Sequence, residues 1–238
     1  KATEGLDVRR AKDLAQLISA LSDGEADVLI LPYGSAFPVD AWPHIRAFLQ
    51  HGGGLVVLGG APFHEPVLAP KSTALAAGGS WQRTGRTVAF AHALLLGPAE
   101  ALPRVPGGRV QWASPKAAPE LQGTFPEPHT TWALTLRLAT TKDHPDEHGS
   151  EGPHDTIARP LVHVVDAEGT ARNCALLELE HVGGHAAGAR WLLATSDARL
   201  EPATIRAIIV RALSGAWHVR AQPVHASISP GEFATIRV

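Results

Sequence analysis

The chain has 238 residues, a hydrophobic content of 45%, a charged content of 18% and a formal net charge of −2 at pH 7. The composition is that of a globular protein, and the length is enough for one sizeable core or for a core plus an appendage. So small a net charge gives no electrostatic reason to expect nucleic acid or an anionic membrane as a partner. The apolar runs are too short to span a bilayer, and no signal-peptide pattern opens the chain.

The counts of methionine and cysteine are informative. There is no methionine, so Lys1 is not a translation start, and we expect the chain to be a piece of a longer polypeptide. The single cysteine, Cys174, excludes an internal disulfide and a thiolate zinc cluster. Since many large secreted bacterial proteins also lack disulfides, cysteine usage leaves the compartment open.

The first sixty residues alternate between helical and strand patterns. Apolar side chains at three-and-four spacing predict a helix over 7–22, and the apolar run at 27–32 predicts a buried strand. A second helix is predicted within 39–54, with Asp40 as its N-cap, and the run "LVVLGG" follows as a second buried strand. This alternation, with continuously apolar strands, is typical of a parallel sheet covered on both faces.

Three strands and one helix are predicted towards the other end of the chain. The strands are 160–166, 174–180 and 190–197, and the helix "EPATIRAIIVRALSGA" carries Pro202 in its first turn and ends at Gly215. Its predicted inward-facing residues are Ile205, Ile208, Ile209 and Leu213. Neither half of the chain has enough strands for a core, so we expect both halves to share one sheet.

The remaining segments differ in character. Residues 61–159 are rich in proline and glycine, and we predict a long insertion with some β structure of its own. In the tail, "ISPGEFATIRV" has the turn and alternation of strands that open a β-sandwich. The predicted units are therefore an α/β domain over 1–216 and, over 217–238, a linker with the first strands of a following β domain. Because doubly wound units begin with a strand and this chain begins in a helix, a first strand is expected upstream of Lys1.

The run "ADVLILPYGSAFPVDAWPHIRAFLQHGGGLVVLGGAPF", residues 26–63, resembles the class I glutamine amidotransferase-like superfamily. It is most similar to the non-catalytic members attached to large bacterial carbohydrate-active enzymes, such as the trimerisation domain of family 42 β-galactosidases. The closing "GARWLLATSD" with its helix is similar to the end of such domains. The resemblance covers 7–63 and 160–216. It implies a flavodoxin-like, doubly wound, mostly parallel sheet and favours a periplasmic or secreted location.

The sequence departs from the active members of that superfamily at the catalytic position. Active members carry a cysteine in a G-x-C-x-G elbow after a central strand, whereas here the strand ends in Gly59-Gly60-Ala61. Cys174 lies within an apolar strand, where a buried and inert thiol is expected. The resemblance therefore implies a catalytically silent domain that packs against other domains of the same polypeptide or against a second copy of itself.

Ser35 follows the first predicted strand in the order Pro32-Tyr33-Gly34-Ser35-Ala36. This order does not fit the G-x-S-x-G elbow of a serine nucleophile, so a turn at the end of a strand is the favoured interpretation. The carboxyl ends of parallel strands are nevertheless where open α/β sheets bind ligands. The ligand-contact candidates there are Tyr33, Gly34, Ser35, Phe37, Gly60 and Phe63.

The insertion offers two further kinds of candidate site. Trp81, Trp112 and Trp132 would stack on sugar rings if exposed, and would pack in a core if buried. The segment "KDHPDEHGSEGPHD", 142–155, carries imidazoles and carboxylates suited to a divalent metal, although its prolines and glycines favour a solvated polar loop. The candidate metal ligands are His144, Asp146, His148 and His154.

Two alternatives to a silent domain stay open. The first is a hydrolase that acts on a carbohydrate or an amide and takes its acid and base from the insertion. Its candidate residues are Asp143, Asp146, Glu147, Glu151 and Asp155. The second is a carbohydrate-binding module that uses the three tryptophans of the insertion. No glycine pair fits a nucleotide-binding motif, so no cofactor is expected.

Overall fold

The computed structural model describes residues 5–69, 81–113, 121, 125–136, 156–184, 186–215, 222–223 and 236–237. The helices in these ranges are α1 (Leu14–Ser22), α2 (Trp42–Gln50), α3 (Ala89–His92) and α4 (Pro202–Leu213), with a 3-10 turn at Val39–Ala41. The strands are β1 (Val28–Leu31), β2 (Ala36–Pro38), β3 (Gly54–Leu58), β4 (Glu65–Leu68), β5 (Gln82–Arg83), β6 (Leu96–Pro103), β7 (Arg109–Trp112), β8 (Thr130–Leu136), β9 (Thr156–Val165), β10 (Ala171–His181), β11 (Arg190–Ala194), β12 (Gln222–Pro223) and β13 (Ile236–Arg237).

A six-stranded mixed sheet forms the centre of this α/β fold, in the order β1-β3-β11-β10-β9-β7. The expectation that the two halves share one sheet is confirmed, because β3 pairs in parallel with β11 and places Leu55 opposite Trp191. β1 is also parallel to β3, whereas β10, β9 and β7 are antiparallel to their neighbours. The short turn between β9 and β10 explains part of this difference, since only antiparallel strands can be joined so tightly.

Helices cover both faces of the parallel strands, as predicted. On one face, Ile45 and Leu49 of α2 pack with Leu55 of β3, and all three are fully buried. On the other face, Ile208 of α4 packs with Val56 of the same strand. Successive residues of a strand point to opposite faces, so a continuously apolar strand requires this arrangement. Among the described helices, none has the length and hydrophobicity needed to cross a membrane.

Three predicted details of the helices are wrong. α1 begins at Leu14 rather than at residue 7, because the Asp13 side chain accepts a hydrogen bond from the Gln16 N–H and caps the helix there. Asp40 lies within the 3-10 turn and does not cap α2. Leu213 was predicted to face inward but is 38% exposed, because it is the last residue of α4 and lies beyond the edge of the core.

The insertion is not structurally separate from the central sheet. It does contain β structure of its own, in the antiparallel pair β6-β8 and in β5, which pairs with β4. However, β7 pairs with β9 and adds a sixth strand to the central sheet. This strand pairs with Val162–Val165 of β9, a part of that strand that would otherwise form an unpaired edge.

The two ends of the chain leave two predictions open. In the described residues, β1 is an edge strand of the central sheet, and the strand expected upstream of it stays a prediction. In the tail, β12 and β13 pair in antiparallel fashion. The other residues of the predicted β domain lie outside the described part of the chain.

A buried network of ion pairs ties the antiparallel strands to α4. Glu178 and Glu180 of β10 are both fully buried, on the face that α4 covers. Arg211 of α4 donates from Nε and Nη2 to the two carboxylate oxygens of Glu178. Arg190 of β11 lies 3.6 Å from each carboxylate, and Arg159 of β9 donates to both. Three guanidinium groups thus surround two carboxylates in the interior.

Candidate functional site

The carboxyl ends of the three parallel strands meet at one edge of the sheet. Three segments come together there: the turn 32–35 after β1, the glycines 59–60 after β3, and residues 195–197 after β11. The Gly59 N–H donates to the Ala194 carbonyl oxygen over 2.9 Å and so continues the pairing of β3 with β11. This edge, which we call the carboxyl edge, is where an open α/β sheet would hold a ligand.

The first two of these segments are packed backbone against backbone. A Cβ atom at Gly34 would lie 2.2 Å from the Gly59 carbonyl oxygen, and one at Gly60 would lie 2.6 Å from the Ser35 hydroxyl oxygen. The Ala61 N–H donates to Ser35 Oγ over 2.9 Å, and Ser35 is only 8% exposed. Ser35 therefore acts as a buried turn residue whose hydroxyl binds the backbone just after the two glycines 59–60.

The start of β8 lies across the third segment. The Trp132 N–H donates to the Thr195 carbonyl oxygen over 2.8 Å, and the Asp197 N–H donates to the Thr130 carbonyl oxygen over 3.1 Å. The Asp197 carboxylate also accepts hydrogen bonds from the backbone of His129 and Thr130, at 2.8 and 3.0 Å. Residues 129–132 of the insertion thus cover the end of β11.

The ligand-contact candidates separate into exposed and buried residues. Tyr33 is 76% exposed at the tip of its turn, whereas Gly34 and Gly60 are buried. Phe37 and Phe63 are core residues rather than contact residues, at 1% and 0% exposure. Their rings meet edge to face at 5.4 Å and belong to a cluster with Trp42 and Phe90. The large area that aromatic rings bury explains their place in the core.

His64 is a further residue of this edge, and the sequence analysis did not select it. It is 5% exposed and donates from Nδ1 to the Pro62 carbonyl oxygen over 2.7 Å. Burial lowers its pKa, and the nearby Arg86 acts in the same direction. The preceding Phe63 has a φ of +62°, a left-handed conformation that is rare for a bulky residue. No sequence signal identifies either property.

The candidates in the insertion are only partly described. Trp81 is 45% exposed, Trp132 is half-buried, and half-buried Trp112 packs edge to face on Phe125 with ring centres 6.3 Å apart. The metal candidates and the acidic residues of 142–155 lie outside the described residues. In the part of the chain that is described, no group of three His, Cys, Asp or Glu side chains could hold a metal ion.

Cys174 lies on β10, where its thiol donates to the Leu176 carbonyl oxygen over 3.2 Å. Burial raises the pKa of this thiol to about 12. Since the thiolate is the reactive form, the predicted inertness of this thiol is consistent with its environment.

We expect iodoacetamide at pH 8 to alkylate Cys174 roughly a thousandfold more slowly in the native protein than in urea, because so little thiolate forms at the raised pKa. Cys174→Ala should cost about 1 kcal/mol of stability. Mass spectrometry of timed aliquots measures both rates. Comparable rates in the two states would show that the thiol is accessible and ionised.

A second buried group makes stability depend on pH. His181 is 7% exposed, packs against Trp191 with the two rings tilted by 58°, and has Thr156 as its hydrogen-bond partner. Burial lowers its pKa to about 4 from the ordinary 6.5. The unfolded chain takes up this proton near pH 6.5 and the folded chain does not, so stability should fall between pH 6.5 and 4 by up to about 1.4 kcal/mol per pH unit.

Urea unfolding at several pH values measures this slope. His181→Phe should reduce it, and the part that remains includes the contribution of His64, whose pKa is lowered too. His51→Gln alters an exposed imidazole and is the matched control. An unchanged slope in the His181 variant would contradict the assignment.

No family model matches this chain, and no curated protein is significantly similar to it. The contacts at the carboxyl edge are therefore the main basis on which a function can be proposed.

Proposed function

We propose that this chain is a catalytically silent, amidotransferase-like structural or interaction domain of a larger bacterial glycoside hydrolase or related carbohydrate-active protein. In this proposal the central sheet is a variant of the flavodoxin-like arrangement, and the tail begins a β-sandwich. The observation that carries the proposal is that the protein's own backbone packs closely at two places on the carboxyl edge, around Gly34 and Gly60 and at the end of β11.

The contacts of residues 59–61 support the proposal that this chain has no nucleophile at the position of the catalytic elbow. A side chain at Gly60 would meet the Ser35 hydroxyl at 2.6 Å, so the position that would carry a nucleophile has no room for one. Backbone N–H groups beside a nucleophile commonly stabilise the oxyanion in acyl transfer. Here the Gly59 N–H donates to Ala194 and the Ala61 N–H donates to Ser35, so both are already used.

The cover over β11 supports the same proposal. Residues 129–132 make four hydrogen bonds with residues 195–197: two join backbone to backbone, and two run from backbone N–H groups to the Asp197 carboxylate. A substrate would have to break these contacts to reach the end of β11. The proposed partners are accordingly other domains of the same polypeptide, with a second copy of the chain or a carbohydrate as further possibilities. No cofactor is part of the proposal.

Activity assays test the proposal directly. The purified chain should release no ammonia from glutamine and no chromophore from a panel of aryl glycosides, relative to buffer alone. The hydrolase alternative would be favoured if the chain turned over an aryl glycoside, if Asp146→Asn or Glu147→Gln abolished that turnover, and if Cys174→Ala left it unchanged. If the chain released ammonia from glutamine and Cys174→Ala abolished that release, the chain would be an active amidotransferase and the proposal would be wrong.

The exposure of Trp81 favours carbohydrate binding as a second candidate. Titration with oligosaccharides should perturb tryptophan emission if an exposed indole stacks on a sugar ring. Trp81→Ala should then remove the change, while Trp112→Phe, which alters a ring packed on Phe125, should keep it. An emission spectrum that no oligosaccharide changes would exclude this candidate for the sugars tested.

A further inference from the structure

Two buried hydroxyl groups face each other where the insertion covers the carboxyl edge. Thr131 of β8 and Ser196 after β11 form an isolated antiparallel bridge, and they are 2% and 1% exposed. Side chains of residues directly opposite in such a bridge lie on the same face, with Cβ atoms about 5 Å apart. Neither hydroxyl oxygen has a hydrogen-bond partner among the described residues.

The backbone groups around the bridge are bonded to one another and not to these hydroxyls. On either side of the bridge, the Trp132 N–H already binds the Thr195 carbonyl, and the Asp197 N–H already binds the Thr130 carbonyl. The hydroxyl of the adjacent Thr195 is also used, because it donates to the Cys174 carbonyl oxygen over 3.0 Å. Buried hydroxyls that bind nothing are costly, and native proteins usually satisfy them with an internal water molecule.

We propose that Thr131 and Ser196 form a binding site for one internal water molecule, which bridges the insertion to the end of β11. Each hydroxyl can donate and accept, which matches the two donors and two acceptors of water. Both oxygens are closed to solvent, so a water molecule between them would be an internal one. This site is independent of the proposed function, since it would join the insertion to the sheet in an enzyme as well.

Thr131→Val and Ser196→Ala, singly and together, test the site by thermal unfolding. If water bridges the two hydroxyls, each single change should lower the Tm by about 2–4 °C, and the double change should lower it by clearly less than the sum. Thr195→Val is the positive control, because it removes a hydroxyl that has a protein partner. A Tm that rises in Thr131→Val, or strictly additive losses, would overturn the proposal.

A direct measurement covers the case in which a variant fails to fold. In the wild-type protein, NMR should detect a long-lived water molecule through cross-relaxation with the Thr131 methyl group. The absence of this signal, with signals of other internal waters present as a reference, would also overturn the proposal.

Discussion

Glu178→Gln should lower the free energy of unfolding by about 3–5 kcal/mol, which is the usual loss when one partner of a buried ion pair is removed. The substitution keeps the shape of the side chain but leaves three guanidinium groups beside one carboxylate. Arg190 and Arg211 are only 5% and 9% exposed at their side chains, so water cannot replace the lost charge. Urea unfolding followed by circular dichroism measures the change.

Glu127→Gln is the matched control for this experiment. Glu127 binds Arg104 through two hydrogen bonds of 2.8 Å, a geometry as good as that of the buried pair, but the side chains of Arg104 and Glu127 are 57% and 31% exposed. Water and salt screen such a pair, so its loss should change stability little. Equal losses in the two variants would show that the interior network contributes no more than a surface contact.

Gly34→Ala should destabilise the protein by about 2–5 kcal/mol, because two costs add at this position. Its φ of +66° is unfavourable for any residue with a Cβ atom, at about 1–2 kcal/mol. The new Cβ atom would also lie 2.2 Å from the Gly59 carbonyl oxygen, and relief of such overlap costs about 1–3 kcal/mol more. The midpoint of urea unfolding is the measurement.

Gly24→Ala separates the two costs. Gly24 has nearly the same φ, +70°, but no atom lies within 4 Å of the position of its Cβ. This variant should lose only the conformational part, about 1–2 kcal/mol. If Gly34→Ala and Gly24→Ala lowered the free energy of unfolding equally, the close approach of Gly34 to Gly59 would not exist in solution.

Local patterns were enough to predict most of the central fold. Burial on both faces makes a strand continuously apolar, and this signal predicted β1, β3 and β11. Burial on one face gives a helix a periodic apolar pattern, and this signal predicted α2 and α4. The same reasoning predicted that the two halves share one sheet. It could not predict which strands are antiparallel, since strand direction depends on connections that carry no periodic signal.

The candidate site shows where sequence patterns stop being informative. Ser35 binds Ala61 and Asp197 binds His129, and both contacts join residues far apart in the chain. The glutamates of "CALLELE" look like the solvent face of a strand, yet Glu178 is fully buried beside Arg211. Such pairings depend on tertiary proximity, which one sequence does not encode as a local pattern.

The parallel pairing of β3 with β11 also has a consequence for the nascent chain. Leu55 pairs opposite Trp191, so one edge of β3 has no partner until the ribosome has made most of the chain. During that interval Leu55, Val56 and Val57 form an apolar strand with an open edge, which is prone to associate with other chains. We therefore expect β3 to complete its pairing late, after the insertion has been synthesised.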